Sequence, residues 1–266
     1  MDLAVKGNTL YADLYTDLVA IDISDPHHVV LKKIVESIFP RRSYDYLRPD
    51  SSKIITSWQK RDTTVTEKFD INAWRRGGQV FYSLDARAAA YSGNSSGPTV
   101  SVSPYGVGGS MARFAIASDR LYTAGTSNLD VFNITNSESP VNVNRKNMGW
   151  NIETIYPFMN KLFIGSQTGM LIYDISNPDN PGQEGTFSHV RSCDPVIADN
   201  QYAYVTLRSG TTCQGFTNQL DILNLSSLSN PSILQSYSMT NPRGLSKDGN
   251  TLFICDGTAG LKIYNA

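Results

Sequence analysis

Cysteine and histidine are scarce in this chain, and both shortages narrow the chemistry it can perform. The three cysteines are too few for a disulfide framework and too scattered for a zinc site. Two of the three histidines lie together in a turn, so only His189 is a candidate for chemistry. No GxSxG motif accompanies it, its spacing from nearby acids matches no metal-binding signature, and a serine triad needs a positioned base and acid. We therefore predict no catalytic residue, no metal and no other cofactor.

Net charge and long apolar runs are also lacking. Charged residues make up 18% of the chain and the formal net charge is −1, so no basic face is available for nucleic acid. No apolar run approaches the ~18 residues that span a bilayer. The opening string MDLAVKGN becomes polar within eight residues, which predicts a first strand and not a signal peptide. The sequence thus gives no sign of a transmembrane segment.

A short string that recurs five times is the clearest positive signal. It consists of an apolar run that ends in Asp or Asn and leads into a turn. The five copies are DLVAIDIS (17–24), NLDVFNIT (128–135), GMLIYDIS (169–176), QLDILNLS (219–226) and GLKIYNA (260–266). Successive Asp or Asn residues are 111, 41, 50 and 41 residues apart. An interval near 41 residues is typical of one four-stranded blade of a β-propeller.

Further apolar runs complete each repeat. Two shorter runs precede every copy of the string, the first of them ending in Asn or Asp, and a more variable fourth run follows in most copies. The string itself is apolar on both faces, as expected for a strand packed between neighbouring blades. A β-sandwich is the alternative, but it does not predict the interval. We predict an all-β chain, a single β-propeller domain over residues 1–266 with five blade units, in which the repeated Asp or Asn is architectural.

One long interval marks an insertion between the first two blades. The 111-residue spacing exceeds the others by roughly 70 residues and places the insertion at 37–110. Its last part, 91–110, is rich in Gly, Ser and Pro, which predicts partial flexibility.

The repeated string resembles the motif of a known family. LVAID (18–22) and the stretch ETIYPFMNKLFIGSQTGMLIYDISNPDNP are similar to LVIVD-repeat proteins, bacterial β-propellers often found as envelope lipoproteins, above all those of Bacteroidetes-type organisms. The resemblance implies an extracytoplasmic location, in the periplasm or at the cell surface, and six or seven blades in a complete member. Members usually carry a leader, a lipidation cysteine and further strands before the position of Met1, and they continue past Ala266, where this chain stops after the third strand of its last blade. The family has no settled activity.

Propeller topology predicts which loops face a ligand. Connections between blades and the hairpins between second and third strands emerge on one face, where propellers tend to bind their ligands. Some residues on these loops have large, charged or aromatic side chains that a turn does not require. We predict that they form the ligand-binding face. They are Trp150, Asn151, Glu153, His189, Arg191, Asp194, Arg208, Arg243 and Asp256.

The cysteines divide by their position in the repeat. Cys193 and Cys213 fall on loops of the same face, so a disulfide between them is one hypothesis, and two free thiols are the alternative. Cys255 falls in a strand and is predicted to be a small buried residue.

Two functions remain open from the sequence. The preferred hypothesis is a non-enzymatic binding or scaffold protein of the bacterial envelope, with a protein or a glycan as its partner. The alternative is a polysaccharide-active enzyme in which Glu153 and Asp194 form a pair of carboxylates at the channel mouth. The same acids would otherwise pair with Arg191, Arg208 and Arg243.

Overall fold

The computed structural model describes residues 2–39, 112–149, 152–166, 169–188, 195–209 and 217–266. All of them belong to one unit of the chain, which comprises residues 1–45 and 103–266. Across these described ranges the chain forms nineteen β-strands, one 3-10 turn and no α-helix. The strands form five antiparallel sheets, and within each sheet they are hydrogen-bonded in chain order. The predicted insertion at 37–110 lies outside the described residues, except for its first three, and stays a prediction.

The sheets are named blades 1 to 5 in chain order. Blade 1 contains β1 (Leu3–Lys6), β2 (Thr9–Leu14), β3 (Asp17–Asp22) and β4 (Val30–Val35). Blade 2 contains β5 (Phe114–Ala117), β6 (Arg120–Ala124), β7 (Asn128–Asn133) and β8 (Val141–Asn147). Blade 3 contains β9 (Ile152–Phe158), β10 (Lys161–Ser166), β11 (Gly169–Asp174) and β12 (Gly182–Ser188). Blade 4 contains β13 (Val196–Ala198), β14 (Tyr202–Leu207), β15 (Gln219–Asn224) and β16 (Ser232–Ser238). Blade 5 contains β17 (Leu245–Asp248), β18 (Thr251–Cys255), a 3-10 turn (Gly257–Ala259) and β19 (Leu261–Asn265).

This architecture confirms the predicted all-β propeller of antiparallel blades. The recurring string forms the third strand of every blade, and the two runs before it form the first and second strands. Five separate sheets are incompatible with the alternative of a two-sheet sandwich.

The third strand of blade 3 shows why the string is apolar on both faces. Met170 and Ile172 belong to an apolar cluster shared with blade 4, whereas Tyr173 belongs to a cluster shared with blade 2. All three side chains are buried. The strand therefore lies between two neighbouring sheets, and burying both of its faces contributes about 2 kcal/mol for each large apolar side chain.

The repeated Asp or Asn forms the corner that follows the third strand. In blades 1 to 4 its side-chain oxygen accepts the backbone N–H two residues later, at 2.8 to 2.9 Å. In blade 3 the intervening Ile175 donates its N–H to the carbonyl of Asn160 at 2.9 Å, which ties the corner to the first hairpin. The predicted architectural role of this residue is confirmed, because both Asp and Asn can make this turn through a side-chain oxygen.

The corners of blades 2 and 3 also anchor the blade that precedes each of them. The hydroxyl of Tyr11 in blade 1 donates to the carbonyl of Ser137 at 2.7 Å, and the hydroxyl of Tyr122 in blade 2 donates to the carbonyl of Pro178 at 2.9 Å. Arg120 of blade 2 makes a bidentate ion pair with Asp179 at 2.5 and 3.1 Å. Blades 1 and 2 are thus fastened to the next blade by polar contacts as well as by apolar packing.

Candidate functional site

Residues in or just before the first strands of blades 2 to 5, together with one residue that follows the second strand of blade 4, line one cavity, which we call the mouth cavity. Its volume is about 260 Å³. Its lining comes from four consecutive blades and their connections: Arg113, Glu153, Thr154, Pro195, Arg208, Pro242 and Arg243. The cavity therefore lies on the face where the topology predicts a ligand site.

Hydrogen bonds between and within the blades hold these residues in position. Ile155 at the start of blade 3 donates its N–H to the carbonyl of Ala112 before blade 2, at 2.8 Å. Thr206 in blade 4 donates its hydroxyl to the carbonyl of Arg243 before blade 5, at 2.9 Å. The N–H of Arg243 donates in turn to the carbonyl of Cys255 at 2.8 Å. The cavity wall is thus held by hydrogen bonds to the strands beside it, which fixes the position of its backbone.

Positive charge predominates among the described residues that line the cavity. Three of them are arginines and one, Glu153, is an acid. Burial lowers the pKa of Arg208, and the nearby Arg243 guanidinium lowers it further, while Glu153 acts in the opposite direction. The cavity therefore contains two guanidinium groups of like charge and one carboxylate that opposes their effect on each other.

The structure brings together three of the predicted site residues, Glu153, Arg208 and Arg243. Their role in ligand binding stays a prediction. Five other predicted site residues lie outside the described residues, as does the predicted disulfide. They are Trp150, Asn151, His189, Arg191 and Asp194, with Cys193 and Cys213 for the disulfide.

Asp256 lies next to the mouth cavity and has a structural role. It is 2% exposed, and one of its carboxylate oxygens accepts the N–H groups of Thr240 and Asn241 at 2.9 and 2.8 Å. These bonds hold the connection that leads from blade 4 to Arg243. Asp256 also borders a separate, more open depression of about 480 Å³ that is shared with Arg243 and Cys255.

Cys255 corrects one prediction. It was expected to be buried within a strand, but its side chain is exposed. Leu252 and Ile254 of the same strand face blade 4 and are buried, whereas Cys255 points to the opposite side of blade 5. No described residue covers that side at this position, so alternation along the strand leaves the thiol in solvent.

Sequence reasoning missed Arg113, Thr154, Pro195 and Pro242. Arg113 and Thr154 directly precede Phe114 and Ile155, which are buried apolar residues at equivalent positions of their blades' first strands. This shared register is the signal that could have identified them, because equivalent positions in successive blades point towards the same axis.

Two further kinds of feature are absent from the described residues, a metal-binding cluster and a membrane-spanning helix. Nowhere among them do three or more His, Cys, Asp or Glu side chains gather in a group that could hold a metal ion. None of the described segments forms a helix long and apolar enough to cross a membrane.

Comparison with known families agrees with the repeat. The sequence model of the LVIVD repeat matches residues 1–37 and 160–188. The first match covers blade 1, and the second runs from the second to the fourth strand of blade 3. No curated protein matches the chain.

Proposed function

We propose that this chain, a β-propeller in which two segments match the LVIVD repeat, is a non-enzymatic binding or scaffold protein of the bacterial cell envelope. Its ligand, a protein or a glycan at the cell surface, would bind at the mouth cavity. The observation that supports this proposal is that four consecutive blades place charged and apolar side chains around one cavity of about 260 Å³. Such a site suits recognition, because hydrogen bonds to the neighbouring strands fix the backbone of its lining before the ligand arrives.

An enzyme acting on polysaccharide is the alternative hypothesis, with Glu153 and Asp194 as its acids, and Asp194 lies outside the described residues. Glycoside hydrolysis commonly uses two carboxylates on opposite sides of the scissile bond. Among the described residues that line the mouth cavity, Glu153 is the only acid, and it is accompanied by three arginines. We therefore keep catalysis as the alternative hypothesis and assign no catalytic residue.

A capture experiment tests the binding function. The full chain is immobilised and exposed to a glycan array and to an extract of bacterial envelopes, in parallel with Arg243→Gln. Lys262→Gln is the matched control, because it removes a positive charge from the third strand of blade 5, away from the mouth cavity. We expect at least one ligand to be retained by the wild type and by the control but not by Arg243→Gln. Ligands retained equally by all three proteins, or none at all, would contradict the proposal.

The location is a separate proposal that rests on the family resemblance. Fractionation of the native cells, followed by detection with an antibody to this chain, should recover it with the envelope or periplasm. Recovery with the cytosolic fraction would refute this location and leave the binding site untouched.

A further inference from the structure

The outermost strands of the five blades differ in charge. They are β4, β8, β12, β16 and, within the described part of blade 5, β19. Four of them contain a charged side chain, whereas β16 (Ser232–Ser238, sequence SILQSYS) contains none. We propose that β16 is an interaction edge that pairs antiparallel with β16 of a second copy of this chain. None of its residues lines the mouth cavity, so the proposal does not depend on the proposed binding function.

The other outermost strands carry the charges that commonly protect a strand edge. A strand at the edge of a sheet can pair with a strand of another molecule, and natural proteins prevent this above all with charged residues. The charged residues of the other four strands are Lys32, Lys33, Arg145, Lys146, Glu184 and Lys262. No Asp, Glu, Lys or Arg occurs between Asp221 and Arg243, a stretch that includes β16 and the corner before it. The edge of blade 4 therefore lacks this protection.

The bulges of the fourth strands show the same difference. In β4, β12 and β16 one extra residue has no partner on the third strand, and these residues are Lys32, Glu184 and Leu234. Lys32 and Glu184 make ion pairs within the chain, whereas the side chain of Leu234 is 54% exposed. After the bulge, Gln235 to Ser238 are in regular register with β15. These residues offer a regular edge to one further strand.

The side chains of β16 favour such pairing. Ile233, Leu234 and Tyr237 are 50%, 54% and 52% exposed, so a second strand would remove apolar surface from water. Pairs of aromatic and β-branched side chains across antiparallel strands add to the stability of a sheet. Main-chain hydrogen bonds along the edge would supply the rest of the affinity, as in other cases of strand addition.

Charge selects a second copy of β16 as the partner strand. Antiparallel pairing about a two-fold axis brings a strand against its own copy. Self-pairing of β4 would bring Lys32 and Lys33 close to the same lysines of the other copy, and self-pairing of β12 would do the same for Glu184. Like charges across a strand pair are destabilising. Among the outermost strands that the structure describes, β16 alone can form a symmetric pair without this cost.

Sedimentation equilibrium of the full chain tests the proposal. The dimer fraction should rise between about 1 and 100 μM protein, because one strand pair forms a small and weak interface. Leu234→Lys should raise the concentration of half-dimerisation at least about tenfold, since both copies then lose apolar contact and bring a positive charge to the edge. Leu31→Lys is the matched control and should leave the dimer unchanged, because Leu31 is also 54% exposed but lies in the outermost strand of blade 1.

Hydrogen exchange distinguishes strand pairing from other contacts between copies. Amides of β16 should exchange more slowly at the high protein concentration than at the low one, whereas those of β4 should not change. Circular dichroism checks that each variant folds, and Tyr237→Lys, at a side chain that is 52% exposed, replaces Leu234→Lys if that variant unfolds.

Three results would overturn the proposal. The first is a monomer at every concentration, including one that binds an uncharged extended peptide along β16. The second is a dimer that Leu234→Lys weakens no more than Leu31→Lys does. The third is a dimer in which β16 gains no protection from exchange.

Discussion

Blades 3 and 5 contain the same recurring string, but their third strands have very different surroundings. In blade 3, Met170 and Ile172 are 1% and 0% exposed, whereas the equivalent Leu261 and Ile263 of blade 5 are each 60% exposed. The third strand of blade 3 pairs with a fourth strand and packs on blade 4, while no described segment pairs with the outer edge of β19. The string therefore specifies a strand and a turn. Whether that strand is buried depends on the fourth strand and the next blade that pack against it. This nearest-neighbour dependence is typical of repeat proteins.

The largest expected difference between the two blades is at the isoleucine they share. Ile172→Ala should destabilise the protein by about 4 kcal/mol, because it leaves a cavity between blades 3 and 4. Ile263→Ala should cost no more than ~0.5 kcal/mol, because that side chain is already largely in solvent. Urea unfolding of both variants measures the difference. Equal losses would show that the two strands are buried alike in solution.

A glycine in the fourth strand of blade 3 gives the next largest effect. A Cβ atom on Gly185 would lie 1.8 Å from the carbonyl oxygen of Leu228 in the corner of blade 4. Gly185→Ala should therefore cost about 3 kcal/mol, because two backbones must separate to relieve the overlap. Gly182→Ala in the same strand is the matched control, since a Cβ there meets no atom within 4 Å. Thermal denaturation should show a clear decrease in Tm for the first variant only.

The contact between blade 2 and the corner of blade 3 should contribute less. Tyr122→Phe removes the hydroxyl that donates to the carbonyl of Pro178, at a cost of about 1 kcal/mol. Tyr237→Phe, at a side chain that is 52% exposed on blade 4, should change stability by less than ~0.5 kcal/mol. Denaturant unfolding of the two variants compares them. An unchanged midpoint for Tyr122→Phe would mean that apolar packing alone joins these blades.

The smallest effect concerns the acid at the corner of blade 3. Hydrogen bonds from Lys161 and from the backbone of Ser176 lower the pKa of Asp174 to about 2. Because this value lies below that of an unfolded aspartate, the carboxylate stabilises the fold at neutral pH, and the contribution is lost as the pH falls from about 4 to 2. The side chain is 36% exposed, so solvent screening limits the effect to less than ~1 kcal/mol.

Asp174→Asn isolates that contribution. Asn can form the same turn, as Asn133 and Asn224 do in blades 2 and 4, but it cannot pair with Lys161 as an ion. The variant should lose slightly less stability than the wild type between pH 7 and pH 2.5, as measured by thermal unfolding at both pH values. A large loss at pH 7 would instead indicate that the corner requires a carboxylate.

Features that depend on a few consecutive residues, such as turns, could be predicted from the sequence. The burial of a side chain could not be predicted where it depends on residues distant in the chain. The corner at Asp174 was predictable because its turn involves only the next two residues. Glu153 and Arg243 could be assigned to one face because strand order alone places them there. Cys255 was assigned to the interior because its strand is apolar, whereas its exposure depends on what lies beside blade 5.

Arg113 was missed for a related reason. It lies at the border of the long insertion, where the repeat is hardest to align, and its part in the mouth cavity follows only from the convergence of blades 2 to 5. The sequence of a single strand does not indicate which other blades contribute residues to the same cavity.

Because the corners between third and fourth strands contact the preceding blade, proteolytic cleavage in one corner would affect two blades. A protease that cuts the chain between Asn177 and Asn180 would open the turn of blade 3. The same cut would release the carbonyl that holds Tyr122 and the carboxylate that holds Arg120. One broken peptide bond would thus destabilise both blade 3, which contains the cut, and blade 2, which loses its polar contacts with that corner.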